Sequence, residues 1–258
     1  MTAVTLHHTM DGEADAPVLV LGPSLGTTVD VWRPQLPALA RQFRVVRYDH
    51  RGHGGSPVPA GPYSLADLGG DVLALLDQLG IARAHLGGIS LGGMVAMWVA
   101  ANHPDRVNRL ALVSTSAWLG PPEIWAQRAA TVRAQGVGAI ADAVVARWVP
   151  EDFAARRPEV VAELRSMLTA TPDEGYAGCC AAIETMDLEP DLRRIRAATL
   201  VIAGLVDSAT PPAHSQRIVA RIPRARLALV SGAAHLANIS RPDLVGQLLV
   251  DFLGGNDE

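Results

Sequence analysis

The stretch Gly88-Ile89-Ser90-Leu91-Gly92 places one serine between two glycines, directly after an apolar run and directly before a helical pattern. This arrangement is typical of a sharp strand-turn-helix connection that lifts a hydroxyl above the end of a sheet. Glycine is needed at the flanking positions because a side chain there would collide with the neighbouring strand or helix. Ser90 is therefore the candidate nucleophile of an α/β protein.

The residues around the serine agree with this interpretation. Residues 83–87 predict a short strand that enters the turn, and the apolar residues 94–101 predict a buried helix that starts at the serine. Asn102-His103-Pro104 would end that helix. The alternative, a serine in an ordinary glycine-rich turn, requires none of these neighbours.

Short apolar runs along the chain predict six buried strands, at residues 18–21, 45–48, 85–89, 110–113, 200–203 and 227–230. Helical stretches separate most of them, which favours a mainly parallel sheet with helices on both faces. Residues 2–8 predict an additional antiparallel edge strand. A length of 258 residues suits one large α/β domain better than two independent domains.

Residues 119–194 interrupt the alternation, because they hold helical patterns and no convincing strand. The patterns cover residues 122–135, 139–148 and 158–169, and Pro150, Pro158, Pro172 and Pro190 punctuate them. The sequence thus predicts a core of residues 1–118 and 195–258 and a helical cap of residues 119–194 inserted into it. A cap over the carboxyl ends of the strands would cover the ligand cleft and determine the specificity.

The composition excludes several classes of function. Charged residues make up 19% of the chain and the net charge is −4, so binding of nucleic acid or of an anionic membrane has no electrostatic basis. All 22 basic residues are arginines, and the lack of lysine excludes a Schiff base and a P-loop. Cys179 and Cys180 are adjacent, which suits neither a normal disulfide nor a metal site. We expect a soluble cytoplasmic protein without a leader or membrane span.

A serine hydroxyl becomes a good nucleophile only when a histidine, oriented by a carboxylate, accepts its proton. Asp207 follows the predicted strand at residues 200–203, and His235 lies in the loop after the predicted strand at residues 227–230. The chain order Ser90, Asp207, His235 is that of the α/β-hydrolase arrangement. The alternatives are a helix-capping role for Asp207 and a surface-loop position for His235.

Acyl transfer also requires N–H donors for the oxyanion of the tetrahedral intermediate. The backbone N–H of Leu91, directly after the serine, is one candidate. The loop Gly22-Pro23-Ser24-Leu25-Gly26 after the first parallel strand offers the second, which we assign to Leu25 by position. Pro23 is excluded because proline has no N–H.

Over nearly its whole length the chain resembles the α/β-hydrolase fold enzymes and, more narrowly, is similar to the 3-oxoadipate enol-lactonases of the β-ketoadipate pathway. The resemblance lies in Gly22-Pro23-Ser24-Leu25-Gly26-Thr27, Tyr48-Asp49-His50-Arg51-Gly52-His53-Gly54-Gly55-Ser56, Gly88-Ile89-Ser90-Leu91-Gly92-Gly93, Thr115-Ser116-Ala117, Leu119-Gly120-Pro121-Pro122 and Ala234-His235-Leu236-Ala237-Asn238. The sequence departs from the pattern at Pro23-Ser24, where many hydrolases carry His-Gly, and at Leu205-Val206, which are unusually apolar beside Asp207.

The resemblance implies that the chain opens 3-oxoadipate enol-lactone through an acyl-enzyme on Ser90, without a cofactor or metal. Other functions fit the same residues: a broader carboxylesterase, a carbon–carbon bond hydrolase, or a cofactor-free perhydrolase or haloperoxidase. A hydrolase-like protein that binds a ligand without turnover is the non-enzymatic alternative. The sequence leaves the oligomeric state open.

A carboxylated substrate in a buried pocket requires a basic or hydrogen-bonding partner. Arg128, Arg133 and Arg147 of the cap are the candidates, although helical arginines are usually solvated. Trp118, Trp125 and Trp148 are candidates for an aromatic wall, and their alternative role is packing within the cap. His50 and His53 lie near the predicted cleft, but the sequence assigns them no chemistry, and Asp49 and Arg51 are expected to hold a turn.

Overall fold

The computed structural model describes residues 2–255, which form one seven-stranded sheet. The strands are β1 (His8–Asp11), β2 (Val18–Gly22), β3 (Arg44–Tyr48), β4 (Ala84–Ile89), β5 (Val107–Val113), β6 (Ala198–Gly204) and β7 (Ala225–Val230). Their order in the sheet is β1-β3-β2-β4-β5-β6-β7, and every pair except β1–β3 is parallel. The six predicted parallel strands are confirmed, each to within three residues.

The antiparallel edge strand is present, but its predicted bounds are wrong. Residues 2–8 were expected to form it, whereas β1 begins at His8 and pairs with β3. Side chains hold the backbone of the preceding segment: the Val4 N–H donates to Asp71 Oδ1 at 2.8 Å and the His7 N–H to Ser56 Oγ at 2.9 Å. Because these amides already have partners distant in the sequence, they do not join a strand ladder.

Eleven α-helices accompany the sheet within the described residues. They are α1 (Leu36–Leu39), α2 (Leu65–Gln78), α3 (Leu91–Asn102), α4 (Pro122–Gln135), α5 (Ala141–Val145), α6 (Glu151–Arg156), α7 (Pro158–Thr169), α8 (Asp173–Glu184), α9 (Pro212–Val219), α10 (Ala237–Ser240) and α11 (Pro242–Leu253). Short 3-10 helices lie at Val29–Gln35, Pro104–Arg106, Val137–Ile140 and Glu189–Arg194. None of the helices within residues 2–255 is long and apolar enough to cross a membrane.

Helices cover both faces of the sheet. Helix α3 packs on β2, β4, β5 and α2, whereas α11 packs on α1, β5 and the 3-10 helix Val29–Gln35. Helix α3 is buried on almost every side because small and apolar residues, among them Met94, Val95 and Met97, make up nearly all of it. Strand β4 is also buried along its whole length. The serine between them therefore rests on two closely packed elements.

The segment between β5 and β6 contains α4 to α8 and no strand, as the sequence predicts. The helices predicted at 122–135 and 158–169 are confirmed. The helix predicted at 139–148 is wrong: residues 137–140 form a 3-10 turn, and α5 ends at Val145. The carbonyls of Arg147 and Trp148 accept the N–H groups of His235 and Leu236 at 3.4 and 2.7 Å, instead of bonding within a helix. The cap's bounds at residues 119 and 194 stay a prediction.

Replacing Gly92 by alanine should destabilise the protein strongly. A Cβ atom on Gly92 would lie 2.3 Å from the carbonyl oxygen of Gly22 and 2.8 Å from that of Pro23, so the backbone would have to move. We expect a loss of about 2–4 kcal/mol and a melting temperature lower by about 5–15 °C. Thermal unfolding of the native protein and of Gly92→Ala measures the difference in melting temperature.

Gly70→Ala is the matched control for this prediction, because Gly70 is also helical and a Cβ there meets nothing within 4 Å. This substitution should leave the melting temperature unchanged or raise it, since alanine favours a helix. Equal melting temperatures for the two variants would contradict the close approach at Gly92.

Candidate active site

Ser90 occupies the turn between β4 and α3, with φ 53° and ψ −116°. A positive φ is unfavourable for a residue with a side chain and recurs at functional sites. A Cβ on Gly88 would lie 2.1 Å from the carbonyl carbon of Gly92, so the predicted collision is confirmed. The turn therefore tolerates a side chain at Ser90 but not at the two flanking glycines.

The loop that carries Leu25 lies against the N-terminus of α3. The Gly92 N–H donates to the Pro23 carbonyl at 2.9 Å and joins the two segments. Leu91 begins α3, where helix geometry leaves N–H groups without an intrahelical acceptor and the helix dipole favours negative charge. The two segments assigned to the oxyanion donors are thus in contact.

Asp207 and His235 follow the neighbouring parallel strands β6 and β7, and they are hydrogen bonded. His235 Nδ1 lies 3.0 Å from Asp207 Oδ2, and both side chains are buried. The same oxygen accepts the Thr210 hydroxyl at 2.8 Å. Asp207 Oδ1 accepts the N–H groups of Ala209 and Thr210 at 2.8 and 2.9 Å. The carboxylate is therefore fixed on both sides, with one oxygen facing the imidazole.

The electrostatics of this pair keep the carboxylate ionised. Burial alone would raise the pKa of Asp207, but the His235 charge and the hydrogen bonds from His235 and Thr210 outweigh it and lower the pKa to about 2. The surface-loop alternative for His235 is wrong, since the side chain is buried. The helix-capping alternative for Asp207 is also wrong: α9 has Pro211 at its N-cap and no side-chain capping bond, and Asp207 Oδ1 binds the N–H groups of Ala209 and Thr210 in the loop before it.

A cavity of about 160 Å³ lies between the carboxyl ends of the strands and the helices of residues 119–194. Its lining comprises Ser24, Leu25, Ser90, Leu119, Gly120, Ile124, Trp125, Arg128, Val144, Arg147, Trp148, Tyr176, Ile183, Ala209, Thr210 and His235. The structure therefore brings Ser90 and His235 to one cavity and places Asp207 behind the histidine. The lining holds two arginines and no carboxylate.

The structure separates the candidate substrate-binding residues into two groups. Trp125, Arg128, Arg147 and Trp148 line the cavity. Arg128 stacks on Trp125, with the guanidinium carbon 4.5 Å from the ring centroid. Burial, followed by the charge of Arg128, lowers the pKa of Arg147. A charged Arg147 in this lining is therefore costly unless an anion compensates it.

The remaining two candidates lie outside the lining. Arg133 forms an ion pair with Glu174 at 2.9 Å, so its charge is already neutralised. Trp118 is 40% exposed and is not part of the cavity wall. Neither residue is placed to contact a molecule in the cavity.

Sequence reasoning missed Thr210 at this site, and it assigned no role to His50 and His53, which it expected near the cleft. Thr210 lines the cavity and binds Asp207, although no motif singles it out. His50 Nε2 donates to the Pro23 carbonyl at 3.0 Å, and the Gly26 N–H donates to His53 Nε2 at 3.0 Å. Both histidines follow β3, which is the parallel neighbour of β2, and this topology brings them to the loop after β2. Within residues 2–255, no three His, Cys, Asp or Glu side chains form a group able to hold a metal ion.

A family model described as alpha/beta hydrolase fold matches residues 17–242 of the chain. The chain is 39% identical over 239 residues to 3-oxoadipate enol-lactonase 2 of Acinetobacter baylyi, covering 93% of this chain and 89% of that protein. It is 34% identical to a protein of Stutzerimonas stutzeri provisionally named carbamate hydrolase RutD, with 96% of both chains covered. The solved enol-lactonase from Burkholderia xenovorans LB400 matches with a TM-score of 0.96 at 44% identity, covering 98% of this chain and 97% of that one. The chain therefore belongs to the α/β-hydrolase fold family and is a hydrolase.

Proposed function

We propose that this hydrolase opens a small carboxylated enol-lactone of the 3-oxoadipate enol-lactone type, using Ser90 as nucleophile, His235 as base and Asp207 as the residue that orients the histidine. One observation carries the proposal: Ser90 and His235 share a cavity with Arg128 and Arg147, and no acidic side chain lines it. A site of this kind suits an electrophilic carbonyl attached to an anionic group. The similarity to the two enol-lactonases supports the same substrate class.

In the acylation step, Ser90 Oγ attacks the lactone carbonyl carbon while His235 Nε2 takes the hydroxyl proton. Asp207 Oδ2 accepts the Nδ1–H of His235, which keeps Nε2 free to act as the base. The carbonyl oxygen becomes an oxyanion, which the N–H groups of Leu25 and Leu91 stabilise. The ring C–O bond then breaks, the enol oxygen receives the proton from His235, and the enol tautomerises to the ketone.

In the deacylation step, His235 removes a proton from water as the water attacks the acyl carbon. The second tetrahedral intermediate collapses, Ser90 regains its proton, and a carboxylic acid is released. The product therefore carries one more carboxylate than the substrate. No step requires a metal or cofactor, and the assignment to the β-ketoadipate pathway depends on the same substrate.

The substrate carboxylate is expected to bind Arg128, Arg147 or both. These are the two arginines in the cavity lining, and Arg147 forms no ion pair or hydrogen bond through its side chain with any described residue. Arg133 lies on the same helix as Arg128 but is neutralised by Glu174 outside the lining. Charge and position therefore favour Arg128 and Arg147 over Arg133 as partners of the substrate carboxylate.

Replacing Arg128 or Arg147 by glutamine should lower kcat/KM for the enol-lactone by about 10- to 100-fold in at least one of the two variants, since a hydrogen bond to a charged group contributes about 1.5–3 kcal/mol. Cleavage of p-nitrophenyl acetate, which is neutral, should change little. Steady-state kinetics on both substrates measure the selectivity.

Arg133→Gln is the matched control and should leave both substrates unaffected, because Arg133 is paired with Glu174. Equal losses on the charged and the neutral substrate would show that the cavity arginines are structural and do not bind a carboxylate.

The assay that tests the proposed function follows hydrolysis of 3-oxoadipate enol-lactone, p-nitrophenyl acetate and a simple alkyl carbamate by the native protein. Fast lactone opening over slow ester and carbamate cleavage is the expected result. Ester cleavage without lactone opening would indicate a broader carboxylesterase. Preferred cleavage of the carbamate would instead agree with the similarity to the RutD protein.

A further inference from the structure

Two buried histidines in the loop after β3 bind the neighbouring loop that carries Leu25. His50 Nε2 lies 3.0 Å from the Pro23 carbonyl and must donate to it, because a carbonyl oxygen only accepts. The Gly26 N–H donates to His53 Nε2 at 3.0 Å, so this nitrogen must be unprotonated. The two rings thus bind the chain on either side of Leu25.

The orientation of the Leu25 N–H follows from these contacts and from one more. The Ser24 carbonyl accepts the N–H and the hydroxyl of Thr27 at 3.1 and 2.8 Å. Because the Ser24–Leu25 peptide is planar and trans, the Leu25 N–H points away from Thr27, which lies outside the cavity lining. The Gly26 N–H belongs to the next peptide, so its bond to His53 fixes the backbone directly after Leu25, as the bond from His50 to the Pro23 carbonyl fixes it on the other side.

We propose that His53, together with His50, is a positioning residue that holds the Leu25 N–H in the orientation needed to stabilise the oxyanion. The inference rests on the proposed serine mechanism and goes beyond it, since neither histidine lines the cavity or can touch a substrate. His53 acts through the Gly26 amide, and His50 acts through the Pro23 carbonyl.

The surroundings of His53 suit a permanent acceptor. Both histidines are almost fully buried, and burial lowers the pKa of His53 to about 4, against smaller opposing effects of the Arg51 carbonyl and the Asp49 charge. The ring is therefore neutral at the pH at which the enzyme would work, with its second nitrogen 3.3 Å from the Arg51 carbonyl. With the proton on Nδ1, directed at the Arg51 carbonyl, the neutral ring keeps the lone pair of Nε2 available to the Gly26 N–H.

His53→Leu and His53→Gln separate this role from simple packing. Leucine fills the space without an acceptor, whereas the glutamine side-chain oxygen can replace Nε2 as the acceptor for Gly26. We expect His53→Leu to lower kcat for p-nitrophenyl acetate by about 10- to 100-fold with little change in KM, because the oxyanion donor is displaced but not removed. His53→Gln should recover most of kcat.

Two further readouts respond to the loop and not to general stability. The affinity for a trifluoromethyl ketone, which forms a serine-bound oxyanion, should fall in parallel with kcat. Exchange of the Gly26 amide proton, followed by NMR, should be faster in His53→Leu than in His53→Gln. Thr199→Val, which removes a buried 2.9 Å hydrogen bond at the start of β6, controls for lost stability and should alter neither readout.

The outcomes distinguish the positioning role of His53 from the serine mechanism on which it rests. If the native protein shows no turnover that depends on Ser90, the serine mechanism fails and the inference fails with it. If turnover depends on Ser90 but His53→Leu keeps the native kcat and analogue affinity, only the inference is overturned. If His53→Leu does not fold, a His53→Gln enzyme with native Gly26 protection and native kcat supports the acceptor role, and one with native protection but low kcat overturns it.

Discussion

Replacing Ser90 by alanine is expected to lower kcat for the enol-lactone by about 10⁴- to 10⁶-fold while leaving the melting temperature nearly unchanged. The substitution removes only the hydroxyl, and the turn keeps the same Cβ and the same flanking glycines. Without the hydroxyl no acyl-enzyme can form, so any residual rate reflects attack of water within the cavity. Steady-state kinetics and labelling with a fluorophosphonate measure this loss.

Ser24→Ala provides the control, because Ser24 is the other serine in the cavity lining. Ser24 is held through its carbonyl by Thr27, a contact that alanine would preserve. This variant should keep turnover and labelling close to those of the native protein. Loss of labelling in Ser24→Ala with retention in Ser90→Ala would move the nucleophile to the loop after β2.

Replacing Asp207 by asparagine should lower kcat by about 10⁴-fold, the second largest effect that we expect. The amide would retain an oxygen for the N–H groups of Ala209 and Thr210, which now bind Oδ1, so the loop should stay in place. Its NH₂ group, however, would face His235 Nδ1 and donate to it. That contact favours the tautomer with a proton on Nε2, which cannot accept the proton of Ser90.

Asp187→Asn is the matched control for this second substitution. Asp187 Oδ1 accepts the N–H of Glu189 at 3.0 Å, a local loop contact like that between Asp207 and Ala209, and Asp187 binds no histidine. Its variant should retain full activity. If Asp207→Asn kept most of its activity as well, Asp207 would be a loop-capping residue and another group would have to orient His235.

The cap shows where prediction from the sequence ends. Trp125 and Arg128 are three residues apart on α4 and share a side of the helix, whereas Arg133 is five residues beyond Arg128 and points about 140° away around the axis. The spacing therefore predicts that Arg128 and Arg133 face different directions. Which of them faces the cavity depends on how α4 rotates as it packs on α8, and these two helices begin at Pro122 and Asp173, far apart in the sequence.

The same limit explains why the contacts of His53 and Thr210 around the catalytic groups could not be predicted. His53 and Gly26 are separated by 27 residues, and the bond between them exists because β2 and β3 are neighbours in the sheet. Thr210 is close to Asp207 in the sequence, yet a hydroxyl in a loop has many possible partners. Only the packed loop turns its oxygen toward the carboxylate.

By itself, the sequence determined the parallel strands, the serine turn with its two glycines, and the chain order of Ser90, Asp207 and His235. These features are local, because strand periodicity and the backbone angles of a tight turn depend on residues within a few positions of each other. Tertiary structure alone decided which arginines line the cavity, that Trp118 faces solvent, and that His50 and His53 hold the loop of Leu25. Those features depend on helix rotation and on contacts between distant segments, which burial of the whole chain sets together.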